Sequence, residues 1–373
     1  MPGELGEAFT NSPKRIPPPP GLADPSNSKY REAPAETEID IVTSVRFELS
    51  LNENFSALLP GVREAVIASA DTVNLTLDAL STELTAAIAT TLDVPAGHLL
   101  AGPGSGALLQ QFLTTFAAGG EVVHAWPSFE MYPLLVRNAG ATSIAVPLND
   151  FTHDLSAMAD AVTESTRVVL ICNPNNPTGT TVDAVALEKF LDRLPPEVLV
   201  LIDEAYADFA DPATIANGLQ HCRADARVCV VRTFSKSYGL LGLRVGYLVA
   251  DPAVIARLAP GGYFYRVSTT AQAAAFAALR AEAAMRRHCA EVAGERERVH
   301  AALRGLGWPV PHSEANFHWL PLGADNDRFV HFCAAEGVVV REIAGAGVRV
   351  TVGTREANDA LIDLARRFAG ANR

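Results

Sequence analysis

Lys236 is the residue whose type and surroundings most directly suggest chemistry. It comes soon after the apolar run 227–233, in a segment rich in hydroxyls and glycines. Such a run is typical of a buried parallel strand, and open α/β sheets hold ligands at the carboxyl ends of their strands. A lysine amine there can form a Schiff base with a carbonyl, while Thr233 and Ser235 offer hydroxyls to an anion such as phosphate. Arg244 adds a forked cationic donor.

Two further apolar runs deliver polar side chains in the same way. Residues 198–202 are followed by Asp203 and Tyr206, and residues 168–172 are followed by N-P-N-N-P-T-G, which contains Asn176. A carboxylate in such a place could be solvated, cap a helix, bind a metal or pair with a cofactor's ring nitrogen. An amide fixed in a proline-rich turn can donate to a phenolic oxygen.

A glycine-rich segment, G-P-G-S-G at 102–106, leads into a helical pattern. Glycines at a helix start let backbone N–H groups approach a phosphate, and Ser105 and Gly106 are the expected donors. The segment lacks the lysine and hydroxyl of a P-loop, so a capped turn or a dinucleotide site stays open at this point.

Composition limits the classes of protein to which the chain can belong. With 373 residues, 49% hydrophobic and 19% charged, it should form a globular protein with one large and one smaller domain. A net charge of −12 without a basic stripe argues against a nucleic-acid partner.

The five scattered cysteines and the histidines show no metal-binding spacing. We therefore expect no bound metal, and we expect the cysteines to be reduced thiols. The absence of a membrane-length apolar run or a leader predicts a soluble, cytoplasmic protein.

The elements that must position these residues follow from hydrophobic periodicity. Strand-like runs alternate with helical patterns, which indicates an α/β fold with a doubly wound, mostly parallel sheet. Beyond it, a long helical stretch at 269–306 precedes strand-like segments at 317–320, 337–341 and 348–352. The predicted organisation has four parts: a flexible proline-rich arm over 1–38, an N-terminal segment over 39–70 that contributes to the small domain, a large cofactor-binding domain over 71–265, and a small α+β domain over 266–373.

The motif S-K-x-x-G-x-x-G-x-R-x-G-Y at 235–247 resembles the cofactor-lysine segment of fold-type I aminotransferases, which depend on pyridoxal 5′-phosphate. The resemblance extends over roughly residues 45–370. Its motifs come in the family's order: phosphate loop, aromatic residue, N-P-N-N-P-T-G, D-E-A-Y, lysine and arginine. Within the family, the chain is most similar to the histidinol-phosphate aminotransferase branch.

This resemblance implies roles for the residues singled out above. Lys236 would hold the cofactor and act as general base, and Asp203 would pair with the pyridinium nitrogen. Tyr206 and Asn176 would share the cofactor's 3′-oxygen. The residues implied for binding the phosphate are Ser105, Gly106, Thr233, Ser235 and Arg244.

Three more residues take roles from the same resemblance. Phe129, in the segment after 121–126, would lie over the pyridine ring. Arg349 is at the position that binds the substrate α-carboxylate, a task that suits a planar guanidinium. Asn52, in L-N-E-N at 51–54, would lie beside the substrate. Without the family, an arginine among valines would more often be the polar face of a strand.

The implied reaction is transamination between an amino acid or an amino alcohol phosphate and a 2-oxo acid, in amino-acid or specialised-metabolite biosynthesis, by a homodimer. Aromatic, imidazole and aliphatic amino acids and phosphorylated amino alcohols all stay open as donors. The chain departs from the family at L-T-L-D, 75–78, where relatives carry a tyrosine that reaches the neighbouring subunit's phosphate. This departure leaves room for a decarboxylase or cyclase. A non-catalytic regulator that keeps the fold and a nicotinamide-dependent dehydrogenase also stay open.

Overall fold

The computed structural model describes residues 45–262, 264–343 and 345–370. The expected arm over 1–38 and the residues directly after it lie outside these ranges. The strands are β1 (Phe47–Glu48), β2 (Leu99–Gly102), β3 (Glu121–Trp126), β4 (Thr142–Pro147), β5 (Thr166–Cys172), β6 (Leu199–Asp203), β7 (Val228–Thr233), β8 (Gly246–Val249), β9 (Phe317–Leu320), β10 (Val338–Val339), β11 (Arg341–Ile343) and β12 (Gly347–Thr351).

Most α-helices are short, and α10 is the longest in the described ranges. They are α1 (Val62–Ser69), α2 (Thr82–Leu92), α3 (Ser105–Phe116), α4 (Tyr132–Asn138), α5 (Leu155–Asp160), α6 (Ala184–Leu191), α7 (Gly218–Ala224), α8 (Pro252–Leu258), α9 (Thr269–Arg280), α10 (Glu282–Gly305), α11 (Asn326–Ala335) and α12 (Arg355–Gly370). No helix within the described ranges is both long and apolar enough to cross a membrane.

The central sheet has seven strands in the order β2-β8-β7-β6-β5-β3-β4. Strand β8 runs antiparallel to both of its neighbours, and the other six strands share one direction. The doubly wound, mostly parallel sheet expected from the sequence is therefore confirmed. Because β5, β6 and β7 are adjacent and parallel, the residues that follow them meet at one edge of the sheet.

The inner strands are apolar almost throughout because helices cover both faces of the sheet. Successive residues enter opposite layers: Val123 belongs to the core on one face, and Val122 belongs to the core on the other. Several of the covering helices begin at an aspartate, asparagine or serine whose side chain accepts a backbone N–H of the first turn, as Asp154 does for Ala157.

A separate three-stranded antiparallel sheet, ordered β11-β12-β9, has its own hydrophobic cluster around Trp308 and Phe329. The N-terminal segment lies beside it: β1 and β10 form a separate two-stranded parallel sheet, and the Thr351 N–H of β12 donates to the Leu49 carbonyl at 2.8 Å. This contact brings the residues after Leu49 towards the central sheet. The division into domains at 71–265 and 266–373 stays a prediction.

Two expectations for the C-terminal part are wrong in detail. The helical stretch expected over 269–306 is two helices, because Ala281 has φ −97° and ψ 22°, outside the helical region. The strand expected over 337–341 is two short strands, β10 and β11, which pair with different partners. Hydrophobic periodicity continues through both interruptions, so it did not reveal them.

Candidate active site

A cavity of about 380 Å³ lies at the carboxyl edge of the central sheet. It is lined by residues from β5, β6, β7, the start of α3, the N-terminal segment and the three-stranded sheet. All twelve residues singled out from the sequence line it: Asn52, Ser105, Gly106, Phe129, Asn176, Asp203, Tyr206, Thr233, Ser235, Lys236, Arg244 and Arg349. Residues up to about 300 positions apart in sequence thus meet at one place.

Lys236 reaches into this cavity from the turn after β7. Its Nζ donates a hydrogen bond to the backbone carbonyl of Asn52 at 2.9 Å. Burial, together with the charges of Arg349 and Arg244, lowers the pKa of Lys236 to about 7, whereas Glu53 opposes the shift. Near neutral pH a sizeable fraction of the amine is therefore uncharged and nucleophilic.

One end of the cavity is a cradle suited to an anion. Thr233 donates from Oγ1 to Ser235 Oγ at 2.8 Å, and Arg244 Nη1 donates to the same Ser235 Oγ at 3.2 Å. The first turn of α3 begins opposite them, and its free N–H groups and positive dipole end favour negative charge.

Glycine makes this cradle possible at two positions. A Cβ on Gly104, whose φ is +89°, would lie 2.6 Å from Arg244 Nη2. A Cβ on Gly246 would lie 2.7 Å from the Ser105 nitrogen and 2.8 Å from the Arg232 carbonyl oxygen, both backbone atoms that cannot easily yield. The hydroxyls, amides and guanidinium together form a donor set that fits a phosphate group.

The buried carboxylate of Asp203 lies at the end of β6. Its Oδ1 accepts the Ala205 N–H at 3.2 Å, and its Oδ2 accepts the Tyr132 hydroxyl at 3.1 Å. Burial raises the pKa of Asp203 to about 6, even though the two hydrogen bonds lower it. A cation next to this carboxylate would keep it ionised, so the position fits a protonated ring nitrogen.

Arg349 and Asn176 lie together in the lining of the cavity. Arg349 Nη1 donates to Asn176 Oδ1 at 2.7 Å, and Nη2 donates to the Ser50 carbonyl at 2.6 Å. Arg349 Nε is buried without a hydrogen-bond partner. An orphaned donor of this kind is costly unless a ligand supplies an acceptor. Because Asn176 Oδ1 is engaged, its Nδ2 is the group that can donate to a ligand oxygen.

Asn52 holds the phenol of Tyr206 in place. It has a left-handed backbone with φ +52°, which asparagine tolerates better than most residues, and its Nδ2 donates to Tyr206 Oη at 2.9 Å. The pKa of Tyr206 rises to about 12, chiefly through burial, so its hydroxyl stays protonated and available as a donor.

The structure also adds residues that the sequence did not single out. Arg341 lines the cavity and forms an ion pair with Glu130 at 3.3 Å, and the register of β11 with β12 places it directly opposite Arg349. Tyr132 lies behind the wall of the cavity, against Asp203 and Phe129. An R-E-I segment followed by a glycine turn and an R-V-T strand was the only sequence signal for Arg341.

Among the described residues, no cluster of three or more histidine, cysteine, aspartate or glutamate side chains is placed to hold a metal ion. The five cysteines, all in the described ranges, are free and buried.

Comparison with known proteins gives consistent results. The family model "Aminotransferase class I and II" matches residues 46–364. An aromatic amino acid aminotransferase from Streptomyces coelicolor is 48% identical over 326 residues, 87% of this chain and 91% of the relative. One of the same name from Thermobifida fusca is also 48% identical, with the same coverage of both chains. The solved structure of a histidinol-phosphate aminotransferase from Sinorhizobium meliloti in complex with pyridoxal-5′-phosphate has a TM-score of 0.82 at 24% identity. The match covers 88% of this chain and 92% of the Sinorhizobium meliloti chain.

The lowered pKa of Lys236 predicts a particular pH dependence for its reactivity. In the cofactor-free protein, reductive methylation of Lys236 by formaldehyde and cyanoborohydride should be slow below pH 7 and accelerate as the pH rises through about 7, because only the neutral amine attacks the aldehyde. Peptide mass spectrometry gives the rate, with the exposed Lys189 on α6 as the internal reference. An inflection at the ordinary pKa of a lysine, above pH 9, would contradict the assigned environment.

Proposed function

We propose that this chain, which belongs to the class I and II aminotransferases and depends on pyridoxal 5′-phosphate, transfers the amino group of an aromatic amino acid to a 2-oxo acid. The observation that supports the proposal most is the single cavity in which a lysine with a pKa of about 7 lies with an anion cradle, a buried carboxylate and an orphaned guanidinium donor. These are the groups that such a reaction needs at one place.

The donor class rests on the relatives. Those between 42% and 48% identical bear the name aromatic amino acid aminotransferase, whereas the likeness to a histidinol-phosphate enzyme, at 24% identity, concerns the fold. The charges of the cavity agree with this choice. Arg341 is paired with Glu130, whereas the Nε of Arg349 is buried without a partner, which suits the single carboxylate of an aromatic amino acid. Leu51 and Leu241 supply apolar contact on the walls.

Each residue then has a physical task. The cofactor, when bound, supplies an aldehyde that condenses with amines and a ring that draws electrons from the substrate's α-carbon. Lys236 would hold the cofactor through its amine. When that amine is free, its Nζ would take a proton from the substrate α-carbon and give it up to the cofactor. A pKa of about 7 suits both transfers, since Nζ can accept and release a proton near neutral pH.

The remaining residues bind and orient. The phosphate would be held by the cradle of Ser105, Gly106, Thr233, Ser235 and Arg244. Asp203 would pair with the ring nitrogen and keep it protonated, and Phe129 would cover the ring. Asn176 Nδ2 and the Tyr206 hydroxyl would donate to the ring's 3′-oxygen. Arg349 fixes the α-carboxylate, which also replaces the acceptor that its Nε lacks.

Transamination is preferred to decarboxylation or cyclisation because the matching family and the relatives are aminotransferases. Residues 75–78, where the chain departs from the family, do not line the cavity that contains Lys236. The nicotinamide alternative is less well supported, since β3, the strand after the glycine loop, ends at Trp126 and not at an acidic residue that could bind a ribose.

Substitution of Arg349 by lysine tests the proposed donor. In half-reactions followed by absorbance, phenylalanine and tyrosine should react faster than histidinol phosphate. Arg349→Lys should reduce kcat/KM for both amino acids about 10- to 100-fold, because a bidentate charged contact is lost. Tyramine, an aromatic amine without a carboxylate, is the matched control and should react equally slowly with both forms. Faster reaction with histidinol phosphate than with either amino acid would contradict the proposal.

We also propose that the enzyme is a homodimer. An exposed apolar patch, consisting of Val73, Leu75, Leu80, Phe264 and Tyr265, supports this, since patches of this kind mark interfaces. The Arg266 N–H donates to the Ala79 carbonyl at 3.2 Å, which brings the two halves of the patch together. A second copy is the expected occupant because most oligomers of soluble proteins pair identical surfaces.

Sedimentation velocity at micromolar concentration tests the dimer. The unmodified protein should sediment as a dimer, and Leu80→Glu combined with Phe264→Glu should shift it to the monomer, since two buried charges would be left unpaired. Val185→Glu is the control, because Val185 is an equally exposed apolar residue on α6, outside the patch. A wild-type protein that sediments as a monomer, or a double variant that stays dimeric, would refute this use of the patch.

A further inference from the structure

Tyr132 is among the largest fully buried side chains of the protein and lies outside the set of residues given a task above. It begins α4, next to the proline at the second helical position, so its backbone is fixed by the helix start. Its ring lies edge-on to two others, with centroids 5.5 Å from Phe129 and 5.9 Å from His124. The side chain thus has one orientation, and that orientation directs its hydroxyl at Asp203.

The hydroxyl of Tyr132 is one of two donors to the Asp203 carboxylate. It reaches Oδ2 at 3.1 Å, and the Ala205 N–H reaches Oδ1 at 3.2 Å. The other titratable groups near this carboxylate are Cys172 on β5, the adjacent Glu204 and the phenol of Tyr206. None of these adds a positive charge, so the two hydrogen bonds are what favours the ionised form of Asp203 in the protein itself.

The Tyr132 hydroxyl stays protonated and can therefore donate its hydrogen bond over a wide range of pH. Burial raises its pKa well above the ordinary value for tyrosine, and the charge of Asp203 raises it further. The phenol therefore keeps its proton through the pH range in which Asp203 titrates. Cys172 is held as a neutral thiol in the same way, because burial raises its pKa.

We propose that Tyr132 is a positioning residue for the reaction: its hydroxyl orients the Asp203 carboxylate and holds it ionised, and its ring edge supports Phe129 at the cavity wall. This rests on the proposed roles of Asp203 and Phe129. One side chain thereby fixes both the charge that faces the ring nitrogen and the aromatic surface that covers the ring. The two contributions can be separated, because phenylalanine at this position keeps the ring and loses only the hydroxyl.

Loss of the hydroxyl has a definite consequence. A carboxylate with a single donor in a buried place binds its proton more tightly, so the pKa of Asp203 should rise above its value of about 6. At neutral pH a larger fraction of Asp203 would then be protonated. A protonated carboxyl cannot stabilise a positive charge on the ring nitrogen, so the chemical step should slow while substrate binding changes little.

The Tyr132→Phe variant tests the proposal by two readouts. In the cofactor-free full chain, carbon NMR of labelled aspartates, assigned with Asp203→Asn, should show the pKa of Asp203 raised by about one unit. In the holoenzyme, kcat should fall about tenfold with little change in KM, and the acid limb of the kcat profile should move to higher pH. In an Asp203→Asn background, Tyr132→Phe should have no further effect on kcat.

Two controls distinguish positioning from a general loss of structure. Tyr247→Phe removes another buried hydroxyl, one whose nearest charges are Arg232, Asp208 and Glu204, and should leave the pKa of Asp203 unchanged. If Tyr132→Phe does not fold, alkaline titration of tyrosine absorbance in Tyr206→Phe, with and without Asp203→Asn, replaces it, because the charge of Asp203 also raises the pKa of Tyr206. One phenol should then titrate at lower pH when Asp203 is replaced, because the charge that raised the pKa of Tyr132 is gone.

The outcomes separate this inference from the proposed function. An unchanged pKa of Asp203 in Tyr132→Phe, or an unchanged phenol titration when Asp203 is replaced in Tyr206→Phe, overturns the role given to Tyr132. Additive losses of kcat in the double variant also overturn it. If the pKa of Asp203 is raised in Tyr132→Phe but the Asp203→Asn enzyme is fully active, the hydrogen bond from Tyr132 to Asp203 is supported. The role proposed for Asp203 in the reaction is then refuted.

Discussion

A lysine amine buried beside two guanidinium groups is the constraint on which the site depends. Desolvation and the charges of Arg349 and Arg244 both disfavour the protonated form of Lys236, and the acceptor that Nζ reaches is a backbone carbonyl, which a neutral amine can also satisfy. Lys236, Arg244 and Arg349 can therefore lie together without three full charges. An anion in the cradle and the carboxylate proposed to bind at Arg349 would complete the balance of charge.

The contact between Lys236 and Asn52 joins the two sheets of the protein. The central sheet places the lysine after β7, and the three-stranded sheet places the asparagine, whose backbone N–H donates to Thr351 Oγ1 at 3.0 Å. Asn54 adds a second connection, since its Nδ2 donates to the Lys236 carbonyl at 3.0 Å. Strand β12 also carries Arg349. The same strand therefore positions the arginine proposed to bind substrate and, through Asn52, the lysine.

The sequence was informative where chemistry follows directly from a strand. Asp203, Asn176 and Lys236 each come after an apolar run, and parallel strands necessarily bring such residues to one edge. Tyr132 and Arg341 were missed because their importance lies in tertiary contacts: one reaches a carboxylate 71 positions away, and the other faces Arg349 across a strand pair. The need for glycine at position 246 also became clear only from the fold, because the backbone of Ser105 leaves no room for a Cβ there.

Reductive trapping of the cofactor tests the central claim most directly. The protein incubated with pyridoxal 5′-phosphate should become yellow, lose the colour on treatment with borohydride, and give a digest in which the peptide containing Lys236 carries the pyridoxyl mass. Lys236→Ala should show neither the colour nor the label. A label on another lysine, or a yellow Lys236→Ala protein that still loses its colour on reduction, would contradict the account.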